Sequence, residues 1–372
     1  MDIFDQLSID PRHDDTLAHQ LKQQIAWLIA SDKIAAGDRL PTVRKLADQL
    51  GINLHTVRSA YQKLEAEGLV ETRRGRGTHV LPFEPQRIAH QAASIRSHTV
   101  GVILPSWKNP FYHAFLQGVE EVTDQDQTLL FLCNTHDDDN AAWRSYAQLA
   151  AKQVDGILVV SHDLCKQLTP EAGEPGTGLP VVTVDWPGCR GYSAQIDLEL
   201  AGYQATRHLI EHGHRQIGLI SYTQEPANVR PIHLGYSRAL EETGLHSAPN
   251  LTANVPSFDM ASGTAGMRKL LALAQPPSAV FAIADTLALG AMEAIKEAGL
   301  RIPDDIALIG FNDIPVAMLV DPPLTSVAAP AVDLGRAAMS ILQDLIAGRE
   351  PQTKQVVLPT SLVVRLSCGC KK

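Results

Sequence analysis

Between Arg39 and Arg76 the chain places eight Lys/Arg against four Asp/Glu. Three of the eight crowd into Arg73-Arg74-Gly75-Arg76-Gly77. Guanidinium groups interleaved with glycine suit a phosphate backbone. The cations make charge-assisted hydrogen bonds, and glycine lets the main chain come close. Just upstream stand Leu54, His55, Thr56 and Arg58, at the start of an apolar stripe of Val57, Ala60, Tyr61 and Leu64. That stripe has helical spacing. Residues at the N-terminal end of such a helix, outside its buried stripe, can reach base edges in a major groove. A solvated surface charge is the plain alternative for each arginine.

Other reactive residues carry less. No Ser-His-Asp set, histidine cluster or phosphate-binding glycine loop is arranged for catalysis. Cys368-Gly-Cys370 offers two soft ligands, but no His or further Cys is near them in the sequence. His212 and His214 close a helix and do not easily face one ion. Asp137-Asp138-Asp139 reads as a solvated helix start, where acids favour the dipole. No catalytic residue, metal or cofactor is expected.

The basic residues need elements to hold them. Leu17, Leu21, Ile25 and Leu28 predict a helix over about 16–31. Gly37-Asp38 turns the chain. Val43, Leu46, Ala47 and Leu50 predict a second helix, starting near Pro41-Thr42 and ended by Gly51. Asn53 suits the N-cap of a third, which ends at Gly68. Two helices joined by a tight glycine turn form a helix-turn-helix. A strand at 69–72, the basic turn and a strand at 78–81 add a winged hairpin.

Residues 82–97 hold two prolines and no apolar period, so they read as a linker. From Thr99 short apolar runs alternate with helical patterns. The predicted strands include Val100–Leu104, Leu129–Cys133, Gly156–Val160, Val181–Val184, Ile217–Ser221, Ala279–Ile283 and Ile306–Phe311. Helices fall at 111–123, 139–152, Leu198–His212, Leu234–Gly244 and Leu287–Ala298. This alternation means parallel sheets wound on both faces, with ligands beyond the carboxyl ends of the strands. The loops to search are 105–112, 134–139, 161–162, 185–186, 222–230, 284–285 and 312–313.

Composition agrees with a folded chain of two or three domains. Of 372 residues, 45% are hydrophobic and 20% charged. That excludes disordered, collagen-like and coiled-coil chains. No apolar run is long enough for a membrane helix, and the acidic start is no secretory signal. Five scattered Cys are no disulfide framework, so a cytoplasmic protein is expected. The net charge of −9 is uneven. Residues 1–97 carry 13 Lys/Arg against 12 Asp/Glu, and the remainder 19 against 29. A chain acidic overall does not coat nucleic acid, but a local basic patch fits one DNA-binding face.

The run LPTVRKLADQLGINLHTVRSAYQKLEAEGLVETRRGRGTHV resembles the winged helix-turn-helix of the GntR family of bacterial regulators over nearly its whole length. The resemblance implies DNA contacts at Arg44, His55, Thr56, Arg58 and Gly77. Many members carry Arg where Leu54 stands; Leu54 suits a thymine methyl instead. Arg73, Arg74 and Arg76 are expected on phosphates.

The later segments resemble the effector-binding core of LacI/GalR-type repressors, itself similar to periplasmic sugar-binding proteins. They are Asn109-Pro-Phe-Tyr112, Val154-Asp-Gly-Ile157, Gly213-His-Arg-Gln-Ile-Gly218, Pro303-Asp-Asp-Ile306, Ile309-Gly-Phe-Asn-Asp313, Pro322-Pro-Leu-Thr-Ser326 and Leu362-Val-Val-Arg365. The combination resembles arabinose-repressor architecture. It implies an N-terminal winged helix-turn-helix (1–81), the linker, a two-lobed doubly wound α/β domain (98–366) and a short tail (367–372). Lobe one would span about 98–197 and 327–358, and lobe two about 198–326 and 359–366.

Carried over residue by residue, the effector positions fall on Phe111, Tyr112, Asp185, Phe258, Asp285 and Asn312. Phe258 matches a stacking aromatic, whose face suits a pyranose or a purine. Ala284 replaces a family Asn, Asn312 a family Asp, and Ile232 a family Arg; Arg230 is the expected substitute for that Arg. Phe258 is equally read as core, and Asp285 and Asn312 as turn formers. The implied function is a ligand-responsive regulator, most simply a repressor. It would be a homodimer on operator double-stranded DNA, controlled by a sugar-like effector and not attached to a membrane. The alternative is a DNA-binding domain fused to an enzyme acting on a small molecule. A pyridoxal-phosphate domain of that kind needs more than the 275 residues after the linker and a Schiff-base lysine motif, neither of which is visible.

Overall fold

The computed structural model describes residues 3–10, 16–31, 33–73, 75–82, 97–106, 109–136, 138–160, 164, 179–185, 191–222, 229–246 and 248–370. Arg74, Asp137, the loops at 161–162 and 223–228, Trp186 and all but the ends of the expected linker lie outside them.

The first unit comprises α1 (Leu17–Ala30), α2 (Val43–Leu50), α3 (Leu54–Ala66), β1 (Val70–Arg73) and β2 (Gly77–Val80). Thr42 and Asn53 cap α2 and α3, their side-chain oxygens accepting the Lys45 and His55 amides. Gly51 ends α2 at φ 64°. Leu21, Ile25, Leu46, Val57, Ala60 and Leu64 are fully buried together. The Gly37 and Leu40 amides donate to the Val80 and Thr78 carbonyls at 2.8 and 2.9 Å, and an isolated antiparallel bridge pairs Arg39 with His79 of the wing.

Two six-stranded sheets follow. In chain order the first contains β3 (Thr99–Leu104), β4 (Leu129–Asn134), β5 (Gly156–Val159), β6 (Val181–Val184), β7 (Ser193–Ile196) and β13 (Gln355–Leu358). Helices α4 (Phe111–Thr123), α5 (Asp139–Ala151) and α10 (Ala331–Ile346) belong to this lobe. The second contains β8 (Ile217–Tyr222), β9 (Thr252–Val255), β10 (Ala279–Ala282), β11 (Ala307–Asn312), β12 (Thr325–Ala328) and β14 (Ser361–Val363). Its helices are α6 (Leu198–Glu211), α7 (Arg230–Glu241), α8 (Met260–Leu271) and α9 (Asp285–Glu297).

The strand orders are β4-β3-β5-β6-β7-β13 and β9-β8-β10-β11-β12-β14, the same winding in each lobe. All pairings are parallel except β12 with β14. The order reverses between β3 and β5 and between β8 and β10, which makes the carboxyl ends there the natural ligand crevice. The chain passes between sheets after β7, after β12 and after β13. One apolar core runs through both lobes.

The structure corrects several element assignments. The helix expected from Leu234 begins at Arg230, because Pro231 in its first turn needs no amide partner there. β9 and α8 lie in a stretch with no predicted element. Helix α8 is rich in Ser, Thr and Gly and shows little apolar stripe, yet it packs closely. A Cβ on Gly263 or Gly290 would collide with the backbone of the facing helix. Gly118 with Gly335, and Gly202 with Gly235, are used in the same way. Beyond Phe311, β12, α10, β13 and β14 complete the two sheets.

The first unit also touches lobe one. Ala147 and Ala151 of α5 join its apolar core, and the Gln23 amide donates to Gln153 at 3.2 Å. No described helix is long and apolar enough to cross a membrane.

Candidate nucleic-acid interface and effector cleft

α3 turns its buried stripe inward, and the Tyr61 hydroxyl ties it to the Pro41 carbonyl at 2.9 Å. That leaves Leu54, His55 and Arg58 exposed at its N-terminal end and Thr56 half-buried beside them. Leu54 is 45% exposed, an unusual position for a leucine unless something covers it. Arg44 is exposed on α2.

The wing tip holds exposed Arg73, Gly75 and Arg76, with Gly77 half-buried. Gly77 has φ 91°, and a Cβ there would run into the Arg39 guanidinium. Arg39 thus lies against the wing, a placement its sequence position did not signal. At Arg73, Nε and Nη2 both donate to Glu71 Oε2, at 3.1 and 2.9 Å. That hydrogen bond holds the Glu71 carboxyl below its ordinary range.

In the lobes, Phe111 and Tyr112 open α4 and pack edge to face, 5.3 Å between centroids. The Asn109 side chain accepts the Phe111 amide at 3.0 Å and fixes that start. Both rings are more than nine-tenths buried and pack into the apolar core of the lobes. Asp185 directly follows β6, at φ 58°. Its Oδ1 is shielded from solvent and lacks a hydrogen-bond partner among the described residues. Burial pushes its pKa up to about 7. An unsatisfied carboxyl oxygen at a strand end is where a ligand hydroxyl would be received.

In lobe two Phe258, just beyond β9, stacks on Tyr222 at the end of β8, with centroids 4.9 Å apart and planes 21° from parallel. Tyr222 was not singled out in the sequence; the 222–230 loop was its only signal. Arg230 is exposed at the first position of α7. His233, one turn on, shares a 2.6 Å hydrogen bond with buried Ser221.

Asp285 needs a correction. Its expected role was a direct ligand contact, but it is 1% exposed and both oxygens are engaged. Oδ1 accepts the Ser326 hydroxyl at 2.6 Å and Oδ2 the Ile314 amide at 2.8 Å. It positions the turn after β11, and burial pushes its pKa up to about 7. Asn312 stands in that turn, half-buried at φ 102°. Asp313 beside it pairs with Arg365 at 2.6 Å. Three non-glycine residues with positive φ at strand ends, Asp185, Asn312 and Asp313, mark backbone held against its preference, as binding sites often do.

Comparison with known proteins agrees with these two halves. Residues 17–80 match the model of the bacterial regulatory proteins of the gntR family. Residues 206–368 match that of the periplasmic binding protein-like domain. The chain is 30% identical over 332 residues to the HTH-type transcriptional repressor PurR of Aliivibrio salmonicida, covering 88% of this chain and 99% of that one. It is 32% identical over 289 residues to the ribose operon repressor of Haemophilus influenzae, covering 77% and 86%. A ribose-bound LacI family transcriptional regulator from Enterococcus faecium superposes with a TM-score of 0.62 at 28% identity, over 72% of this chain and 98% of that one. With a gntR-type reader in front of a periplasmic-binding-protein-like sensor, the chain belongs to the LacI-type family of bacterial transcriptional repressors and is a ligand-responsive regulator rather than an enzyme.

Proposed function

We propose that the chain represses transcription as a homodimer on a palindromic operator and is controlled by a sugar-like effector in the cleft between its lobes. The observation that carries the effector reading is the Tyr222–Phe258 stack at the carboxyl end of β8. An aromatic platform takes the C–H face of a sugar ring, while Asp185 and Asn312 offer hydrogen bonds to its hydroxyls. The ribose operon repressor and the ribose-bound regulator support a sugar over other small molecules.

On DNA, Leu54, His55, Thr56 and Arg58 face base edges. Arg44, Arg73, Arg76 and Gly77 face the backbone, joined by Arg74 outside the described residues. Arg230 and the rings of Phe111 and Tyr112 complete the effector set. Self-association is supported by exposed Leu129, Phe131 and Leu132 on β4, an edge strand, and by Met318 and Leu319, 59% and 77% exposed. The protein acts in the cytoplasm, where its operator lies.

Effector binding closes the lobes about the three chain crossings and shifts the readers, which lowers operator affinity. The contact of α1 with α5 gives that motion a direct path besides the linker. A thermal-shift panel of pentoses, hexoses, disaccharides and nucleosides tests the effector class, since a ligand that binds only the native state raises its stability. A shift with a sugar and none with a nucleoside supports the reading; the reverse contradicts it.

A further inference from the structure

The end of α6 and the C-terminal tail meet on the second lobe. His208 and His212 stand four residues apart, so they share one helix face, and their rings lie 4.3 Å apart. The tail leaves β14 and is anchored by Ser367, whose hydroxyl donates to the Leu308 carbonyl at 2.6 Å. Gly369 then turns at φ 86° and brings both flanking thiols to the same place. Cys370 Sγ lies 3.3 Å from Cys368 Sγ, 3.3 Å from His208 Nε2 and 2.9 Å from His212 Nε2. One ligand atom from each of His208, His212 and Cys370 falls within 4.8 Å of the others. Four donors on a tetrahedral zinc stand roughly 3.3–3.8 Å apart, given bonds of about 2.0–2.3 Å.

The His212 imidazole is oriented for ligation. His212 Nδ1 lies 2.8 Å from the His208 carbonyl oxygen. A carbonyl can only accept, so Nδ1 carries the proton and Nε2 turns its lone pair toward the thiols. Metal-binding histidines are fixed in the same manner. Cys368 is fully buried and receives the Thr325 hydroxyl at 3.1 Å, while Cys370 is half-buried and His212 exposed. The cluster is thus rigid on one side and open to solvent on the other. Two thiols and two imidazoles, with no carboxylate among them, form a donor set for a borderline or soft ion and not for magnesium or calcium.

We propose that His208, His212 and Cys370 bind one Zn2+ ion, with the Cys368 thiol, 3.3 Å from that of Cys370, drawn in as the fourth donor, and that the ion staples the C-terminal tail to the end of α6. Neither pair is readable as a site in the sequence, because more than 150 residues separate them and only the fold joins them. The absence of a metal expected from the isolated Cys-Gly-Cys is thereby revised.

The test uses the full chain, reduced, stripped with a chelator and titrated with Co2+ and then Zn2+. The expected result is one Co2+ per chain, with the visible absorption of a tetrahedral site and thiolate-to-metal charge transfer, displaced by one Zn2+. Zn2+ also raises the melting temperature. Cys370→Ser and the double variant His208→Ala/His212→Ala lose uptake, and Cys368→Ser loses about half of the charge-transfer intensity. His212→Ala alone changes an exposed residue and weakens uptake without unfolding the lobe. Reduced wild type that takes up no Co2+, or uptake that survives in Cys370→Ser and the double histidine variant, overturns the proposal. So does a Cys368–Cys370 disulfide whose reduction leaves the protein still unable to bind either ion.

Discussion

Ser326 donates a 2.6 Å hydrogen bond to Asp285, and this pair holds the turn that carries Asn312. The Ser326 oxygen also accepts the Asp313 amide at 3.1 Å. The close approach depends on Gly310, where any Cβ would collide with Asp285 Oδ1. Ser326→Ala should cost about 1–3 kcal/mol of stability, because it leaves a buried carboxyl oxygen unpaired. Urea denaturation measures it. A change below about 0.5 kcal/mol, the range of ordinary surface substitutions, would mean that the network does not hold the turn.

Asp285 also gives stability a pH dependence. Its folded pKa is raised from 3.8 to about 7 by burial, against the hydrogen bonds from Ser326 and Ile314. The folded state therefore binds the proton more tightly than the unfolded chain. The contribution is full below about pH 4 and is lost as pH rises from there through about 7. Asp185, shifted in the same direction, adds to it. Wild type should lose stability relative to Asp285→Asn between about pH 5 and pH 8. Denaturation curves of both proteins at the two pH values decide this; a constant difference rules it out.

Phe258→Ala should weaken the effector by about 1 kcal/mol, roughly fivefold, through loss of the stack on Tyr222. Phe258→Trp should retain most of the affinity. Calorimetry with the sugar found in the thermal-shift panel measures both. Equal affinity in wild type and Phe258→Ala would return Phe258 to a core role.

On operator DNA, Arg58→Ala should cost about 1–3 kcal/mol at matched salt. Arg76→Ala should lower the salt slope of binding by about 1, as one phosphate contact does. Arg73→Ala should change less than Arg76→Ala, since Glu71 already holds the Arg73 guanidinium. Titrations at several salt concentrations separate the three. Arg58→Ala binding like wild type would remove α3 from the reading of bases.

Much of this was legible in the sequence, and what was not has physical reasons. Val57, Ala60, Tyr61 and Leu64 repeat cleanly, so α3 and its exposed end follow from spacing alone. α8 was missed because it buries small residues against α9, and Gly263 leaves no apolar stripe to read. Asp285 was assigned to the ligand because a carboxyl after a strand looks the same whether it faces the crevice or the backbone. The bonds from Ser326 and the Ile314 amide, 41 and 29 residues away, distinguish the two. Tyr222 was passed over because its partner Phe258 lies across β9, a strand with no predicted element.

The exposed edge of lobe one gives a prediction for assembly. Replacing Leu129 and Phe131 by Asp should halve the mass measured by light scattering if β4 meets a second copy. Operator affinity should fall with it, because a two-fold site loses half of its contacts. A double variant with unchanged mass would move the interface elsewhere.

The central claim is that effector and operator compete through one two-state lobe movement. By linkage, if the effector weakens operator binding tenfold, the operator must weaken effector binding tenfold, about 1.4 kcal/mol of coupling. The most direct measurement is effector affinity by calorimetry with and without saturating operator DNA. Effector binding is expected to be weaker on DNA, by the same factor that effector weakens the operator. Equal affinities in the two titrations would mean that the cleft and the reader are not coupled.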